Sequence, residues 1–260
     1  MGKKALLVVS FGTSYEDAMP AIVNLEEICQ KAFPDYDFFR AFTSGFIISS
    51  LKRKKNMVVM NPEEAMEKLA GEGYEEVLCQ PTHIIKGFEY DKLVRMIEPF
   101  KEQIPSIRLG APLLSEEEDY IKACHIVMDQ LPGPLADKEA FLLMGHGTEH
   151  SAHISYGKLQ KVFHELGYTS TYLATVESQP GIEELVEIIR QDQIETATIM
   201  PFMIVAGDHA RNDLAGDEED SWKSILHANG FATKEILKGL GQIDAIGQIY
   251  VEHLKEATKL

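Results

Sequence analysis

ALLVVSFGTS, residues 5–14, returns as AFLLMGHGTE at 140–149, with His146 standing where Phe11 stood. Each copy is a near-continuous apolar run that stops at a Gly-Thr turn. Such a run reads as a strand covered by helices on both faces, and hence as part of a parallel sheet. A second stretch behaves alike: QPTHIIKGFEYDKL (80–93) returns as MPFMIVAGDHARNDL (200–214), with His209 at the place of Glu89. Between them, Phe42-Thr43-Ser44 aligns with Val176-Glu177-Ser178. The offsets are 135, 134 and 120 in chain order. Three matches in one order point to a duplicated half-chain. The shorter last offset requires an insertion in the first copy, and IISSLKRKKNMVVMN (47–61) reads as one, its basic run either steering an anionic ligand or lying in a solvated insertion loop.

The rest of the pattern alternates strands and helices. After the first strand (5–10), residues 17–33 carry Ile22, Leu25, Ile28, Cys29 and Ala32 at helical spacing before Pro34. Strands at 37–42, 76–80 and 107–110 alternate with helices from Pro62 to Ala70, Tyr90 to Phe100 and Glu116 to Asp129. Pro132-Gly133-Pro134 is the strongest boundary signal. The order then repeats: strands at 140–144, 171–176, 195–200 and 231–236, and helices at 153–166, 181–190, 220–228 and 242–258, with a long loop at 205–219. The expected fold is α/β, with two similar Rossmann-like lobes, 1–132 and 133–260. Each has a parallel sheet flanked by helices, the active cleft lies between them, and the second carries most catalytic residues.

Bulk properties exclude several functions. Among 260 residues, 41 acidic and 25 basic side chains give a net charge of -16. Nonspecific nucleic-acid binding needs a positive surface to displace counterions, so it is disfavoured. The run Lys52-Arg53-Lys54-Lys55 stands out in so acidic a chain and, with Arg40 and Lys86, would steer an anionic ligand. No stretch approaches the roughly 20 apolar residues of a spanning helix. Ala5–Val9, behind Met1-Gly2-Lys3-Lys4, is too short for a signal-peptide core, which makes the cytoplasm the expected location. Cys29, Cys79 and Cys124 form no pair motif and read as free buried thiols.

In an open parallel sheet, ligands bind beyond the carboxyl ends of the strands. His146, Glu177 and His209 fall at three such ends in the second copy. Two imidazoles and a carboxylate suit a first-row divalent ion, and the same groups serve as proton acceptors. His83 sits in the third loop of the first copy, opposite Met203 in the second, and reads either as a substrate or metal contact or as a loop hydrogen-bonding residue. His150 and His153 follow His146 closely and have the look of a metal tract. The loops Ser10-Phe11-Gly12-Thr13-Ser14 and Gly145-His146-Gly147-Thr148 offer N–H groups and hydroxyls to anions. Neither is a GxGxxG or GxxxxGK[ST] loop, there is no GxSxG elbow, and HGTEH lacks the spacing of HExxH. Dinucleotide, nucleotide, α/β-hydrolase and zincin readings fall away.

The whole length resembles a known family. LLVVSFGTS (6–14), RAFTSGFII (40–48), THIIKGFEYDK (82–92), GAPLLS (110–115), MGHGTEH (144–150), VESQP (176–180), MPFMIVAGDHARNDLAGDEEDSWK (200–223) and GLG (239–241) carry the resemblance. The chain is similar to the anaerobic, class II sirohydrochlorin cobalt chelatases of cobalamin synthesis, the CbiK type, relatives of ferrochelatase. The resemblance implies ATP-independent insertion of Co2+ into sirohydrochlorin, with His146, Glu177 and His209 as metal ligands and catalytic groups. It implies no cofactor beyond the substrate metal, although similar sites accept Fe2+ or Ni2+. The implied partners are sirohydrochlorin and divalent cobalt, without nucleic acid or membrane, and self-association stays open. Ser10, Gly12, Thr13, Ser14, His83, Gly147 and Thr148 are the expected tetrapyrrole contacts. The alternatives are ferrochelatase-like insertion of Fe2+ into sirohydrochlorin or another porphyrin, and a non-catalytic metal- or tetrapyrrole-binding protein.

Overall fold

The structure is a computed structural model that describes residues 2–260. In chain order its elements are β1 (Lys3–Ser10), α1 (Met19–Ala32), β2 (Asp37–Phe42), α2 (Gly45–Lys55), α3 (Pro62–Gly71), β3 (Tyr74–Pro81), α4 (Phe88–Ile97) and β4 (Ser106–Leu109). There follow α5 (Glu117–Met128), β5 (Glu139–Gly145), α6 (Ile154–Glu165), β6 (Thr171–Thr175), α7 (Ile182–Gln191), β7 (Thr196–Pro201), α8 (Trp222–Ala228) and β8 (Ala232–Glu235). Last come α9 (Asp244–Lys255) and β9 (Thr258–Lys259).

Two compact units form. One comprises the chain up to Ser115 together with Gly241–Leu260, the other Glu116–Leu240. The first holds a five-stranded sheet in the order β2-β1-β3-β4-β9, parallel except for the antiparallel β9. The second holds an all-parallel sheet in the order β6-β5-β7-β8. Its first four positions repeat the order of the first unit, as a duplication requires. Ala5 to Val9 are fully buried, which accounts for the unbroken apolar run: helices cover both faces of β1. In the second unit Ala140, Leu142 and Met144 of β5 share a core with Leu185, Val186 and Ile189 of α7 and Trp222 and Leu226 of α8. Those α7 residues recur at helical spacing, so one apolar stripe docks that helix on the sheet.

The structure corrects four sequence expectations. The units do not part at Pro132–Pro134: α5 packs on α6, and α9 packs on α1 and on β3. Helix amphipathicity specifies a buried face without naming the sheet that buries it. The insertion is mostly helix rather than loop, since α2 covers Gly45–Lys55 with Ser44 accepting from the Ile47 N–H as its cap. Its four cations occupy the last turn, where the helix dipole favours them. The middle alignment slips by one residue. Thr43 N–H donates to Ser10 O, as Val176 N–H does to Gly145 O, so the true offset is 133 and Glu177 stands at the place of Ser44. Finally, Thr258–Lys259 forms a short antiparallel edge strand that carries no sequence signal.

Candidate metal centre

Each of the three expected ligands leaves its strand at the same edge of the second sheet. His146 follows β5 directly, Glu177 lies two residues beyond β6, and His209 precedes a π-helical turn, Ala210–Leu214, after β7. Neighbouring strands run β6-β5-β7, so the three loops are adjacent although distant in sequence. One ligand atom from each residue lies within 4.8 Å of the other two. His146 Nδ1 is 3.5 Å from Glu177 Oε2, and the two imidazoles meet edge to face at 4.8 Å between centroids. Their side chains are 47% (His146), 55% (Glu177) and 31% (His209) exposed, so an ion can reach them from solvent.

Hydrogen bonds set the tautomers. His146 Nδ1 lies 3.0 Å from Gly147 O, and a carbonyl only accepts. In the neutral ring the hydrogen therefore sits on Nδ1, and Nε2 keeps its lone pair. His209 Nδ1 is bonded in the same sense to the Asp213 carboxylate four residues on. A carboxylate behind an imidazole orients the ring and raises its basicity as a ligand. Atoms about 2.1 Å from a common tetrahedral ion stand roughly 3.4 Å apart. One ring nitrogen from each histidine and one Glu177 oxygen lie within 4.8 Å of one another, a wider limit than that spacing.

The other expected residues divide. Ser10 is buried, with its hydroxyl accepting from Thr82 Oγ1 at 2.8 Å. Thr13 is buried and accepts from Tyr15 N–H at 3.2 Å. Thr148 N–H donates to Ser178 Oγ at 3.1 Å, and its hydroxyl accepts from His150 N–H at 3.1 Å. Ser10 and Thr13 are thus buried within the first loop, while Thr148, partly exposed, braces the second loop through its two bonds. Gly12 and Gly147 take equivalent left-handed conformations (φ 102° and 85°). A Cβ would press on Phe42 in the first case and on Ser178 in the second. Ser14 remains partly exposed.

His150 and His153 form no metal tract. His150 Nδ1 accepts from Ala152 N–H, while His153 binds Ser178 and the Gln179 carbonyl. His83 is half-buried in the first unit, and both its ring nitrogens are shut off from solvent without a hydrogen-bond partner. Burial pushes its pKa down to about 4, with Glu89 opposing and Lys92 assisting. Arg40 is bound to the buried Glu26 carboxylate, through Nε at 2.6 Å, and so is not available for steering. The three cysteines are buried and free; burial pushes their thiols up to about 12, far from the reactive thiolate. Asp213 escaped the sequence reading. Its one signal was a carboxylate four residues after a histidine, which is informative only once that segment is helical.

Among the described residues no helix is long and apolar enough to cross a membrane. The chain is 40% identical over 259 residues to the sirohydrochlorin cobaltochelatase of Salmonella typhimurium, covering 99% of this chain and 97% of that one. It is 30% identical to the sirohydrochlorin cobaltochelatase CbiKC of Nitratidesulfovibrio vulgaris, covering 99% and 92%. Among solved structures, SirB from Bacillus subtilis with Fe3+ matches at a TM-score of 0.66 and 14% identity, covering 98% of this chain and 95% of that one. CbiX, the terminal enzyme of siroheme biosynthesis in denitrifying bacteria, matches at 0.59 and 17%, covering 98% and 100%. At such identities these two structures speak for the fold alone. The cobalt chelatase (CbiK) family profile matches residues 4–259, and with the two full-length relatives it establishes that this chain belongs to the CbiK cobalt chelatases.

Proposed function

We propose that this chain inserts Co2+ into sirohydrochlorin, without nucleotide hydrolysis, at the His146–Glu177–His209 site. The observation that carries the reading is the convergence of these three donors to within 4.8 Å at one sheet edge. The named activity of the two relatives supports the choice of metal and macrocycle.

The metal is a substrate here, so its ligands must hold it and then release it. The Nε2 atoms of His146 and His209, with a Glu177 oxygen, take Co2+ from water and present it with open coordination positions. The macrocycle loses two pyrrole protons as its nitrogens replace these ligands, giving the cobalt complex and two H+. Glu177 and the released imidazoles are the nearest proton acceptors, and two such groups suffice for the balance.

The test is cobalt insertion followed by the absorbance change of sirohydrochlorin. His146→Ala and His209→Ala should each reduce the rate to background while the circular dichroism spectrum stays unchanged. Near-normal turnover in both variants would remove the basis of the assignment. Parallel assays with Co2+ and Fe2+, on sirohydrochlorin and protoporphyrin, decide between cobalt and iron insertion.

A further inference from the structure

Glu177 is the least supported of the three donors. Its side chain is more than half exposed, and its one recorded side-chain contact is His146 Nδ1 at 3.5 Å. Where its carboxylate lies therefore depends on how the backbone of residues 176–180 is held. Beyond β6, Val176 N–H donates to Gly145 O and Glu177 N–H to His146 O at 2.9 Å. The next anchor is Ser178. Its hydroxyl accepts from Thr148 N–H at 3.1 Å and bonds His153 Nδ1 at 3.1 Å, and its carbonyl accepts from Thr175 Oγ1 at 2.5 Å. Gly147 has no Cβ, and one placed there would lie 2.4 Å from Ser178 Oγ.

His153 closes this arrangement from the start of α6. Its Nε2 lies 2.7 Å from Gln179 O, so Nε2 donates, and in the neutral ring Nδ1 is left to accept from the Ser178 hydroxyl. One imidazole thus grips two consecutive residues immediately after Glu177. Through Ser178 it also ties that loop to the His146-Gly147-Thr148 loop. Among the described residues the first unit shows no such grip. Ser44 replaces Glu177 there, α2 begins at Gly45, and the missing Cβ of Gly12 faces Phe42 and Ile47. The grip belongs to the copy that carries the imidazoles.

We infer that His153, acting through Ser178 and Gln179, is a positioning residue that sets the reach of Glu177 relative to His146 and thereby the affinity of the site for the incoming divalent ion. The inference rests on the proposed role of the trio, so its test separates the two. Cobalt binding to the full-length chain is measured by calorimetry, and insertion by steady-state kinetics in each substrate. His146→Ala reports on the trio: binding unaltered by it would sink the functional reading.

With that control satisfied, His153→Phe should raise KM for Co2+ about tenfold, the lower end of what supporting residues contribute to metal sites. KM for sirohydrochlorin should change less than about twofold, and the thermal midpoint should hold. His153→Gln, whose amide can still donate to the Gln179 carbonyl, should recover part of the loss. In a Glu177→Gln background the same His153→Phe change should add little, because the group it positions has gone. Cobalt affinity untouched by His153→Phe, or an undiminished tenfold effect without the Glu177 carboxylate, overturns the inference while leaving the trio intact.

Discussion

His83 invites a replacement that the duplication itself supplies. Its counterpart in the second unit is Met203, a buried apolar side chain at the same place beyond the third strand. His83→Met removes a titratable ring and two nitrogens that lack partners in the fold. Burial lowers the His83 pKa to about 4, against an ordinary value near 6.5. Between these values the unfolded chain binds a proton that the folded chain refuses, so stability must fall as the pH drops from about 6.5 towards 4. Integrating the linkage from pH 7 to pH 5 gives a loss of at most about 2 kcal/mol in the wild type and none from this position in the variant. Glu76, where desolvation is the larger single cost but is outweighed by hydrogen bonds from Tyr36, Arg108 and Lys4, and Glu139, lowered first by its bond from Lys234, lose stability at more acid pH and do so equally in both proteins. The assay is denaturant unfolding of both chains at pH 7, 6 and 5, taking the difference of their midpoints at each pH. The gap should move in favour of His83→Met as the pH falls, and at pH 7 the variant should be no less stable, because buried orphan nitrogens cost more than a thioether. Parallel pH profiles would refute the reasoning.

Two further substitutions test the site. Asp213→Ala frees the His209 ring and should weaken cobalt binding about 10- to 100-fold by calorimetry, with Asp213→Asn in between because its amide oxygen still accepts from Nδ1. Gly147→Ala meets both a left-handed backbone and the Ser178 hydroxyl at 2.4 Å. It should cost more than about 1 kcal/mol in thermal unfolding and lower cobalt affinity as well, since Ser178 must move.

The trio was legible because a duplicated sheet repeats its strand ends, and a residue type that differs between otherwise matching ends stands out. His146 against Phe11 and His209 against Glu89 are visible in this way. Glu177 also stands out, but residue types alone pair it with Thr43 instead of Ser44. The alignment gap falls in a turn, where nothing in the residue types fixes its place and only the ladder bonds to Ser10 and Gly145 do. The basic run reads as loop in the sequence because charge signals exposure. Lys and Arg are nevertheless good helix formers, and the last turn of a helix favours them. The burial of Ser10 and Thr13 is hidden for another reason. Small polar residues in a glycine loop look the same whether their hydroxyls face a ligand or their own backbone.

The placement of α5 and α9 gives the most direct test of how the units are built. The second unit is one continuous segment, Glu116–Leu240, with its entire sheet and all three candidate ligands. The sequence boundary would instead define 133–260, which lacks α5 and carries α9 away from α1. Helix α5 buries Tyr120, Ala123, Cys124 and Val127, and it packs on α6. Lys158 lies over the Tyr120 ring at 4.2 Å and bonds Glu117, while His125 reaches the Tyr168 hydroxyl at 2.9 Å. Removing these apolar side chains, at about 1.5–3 kcal/mol for each large one, costs a sizeable part of the 5–15 kcal/mol that a domain possesses. The detached α9 would add an unpartnered face bearing Ile246, Ile249, Tyr250 and Leu254. The fragment 116–240 should therefore be monodisperse, unfold cooperatively and bind cobalt through the trio, whereas 133–260 should aggregate or melt without a transition. Equal behaviour of the two fragments would mean that α5 contributes nothing essential to the unit carrying the site, and that packing of one helix on another is a poor guide to where this chain divides.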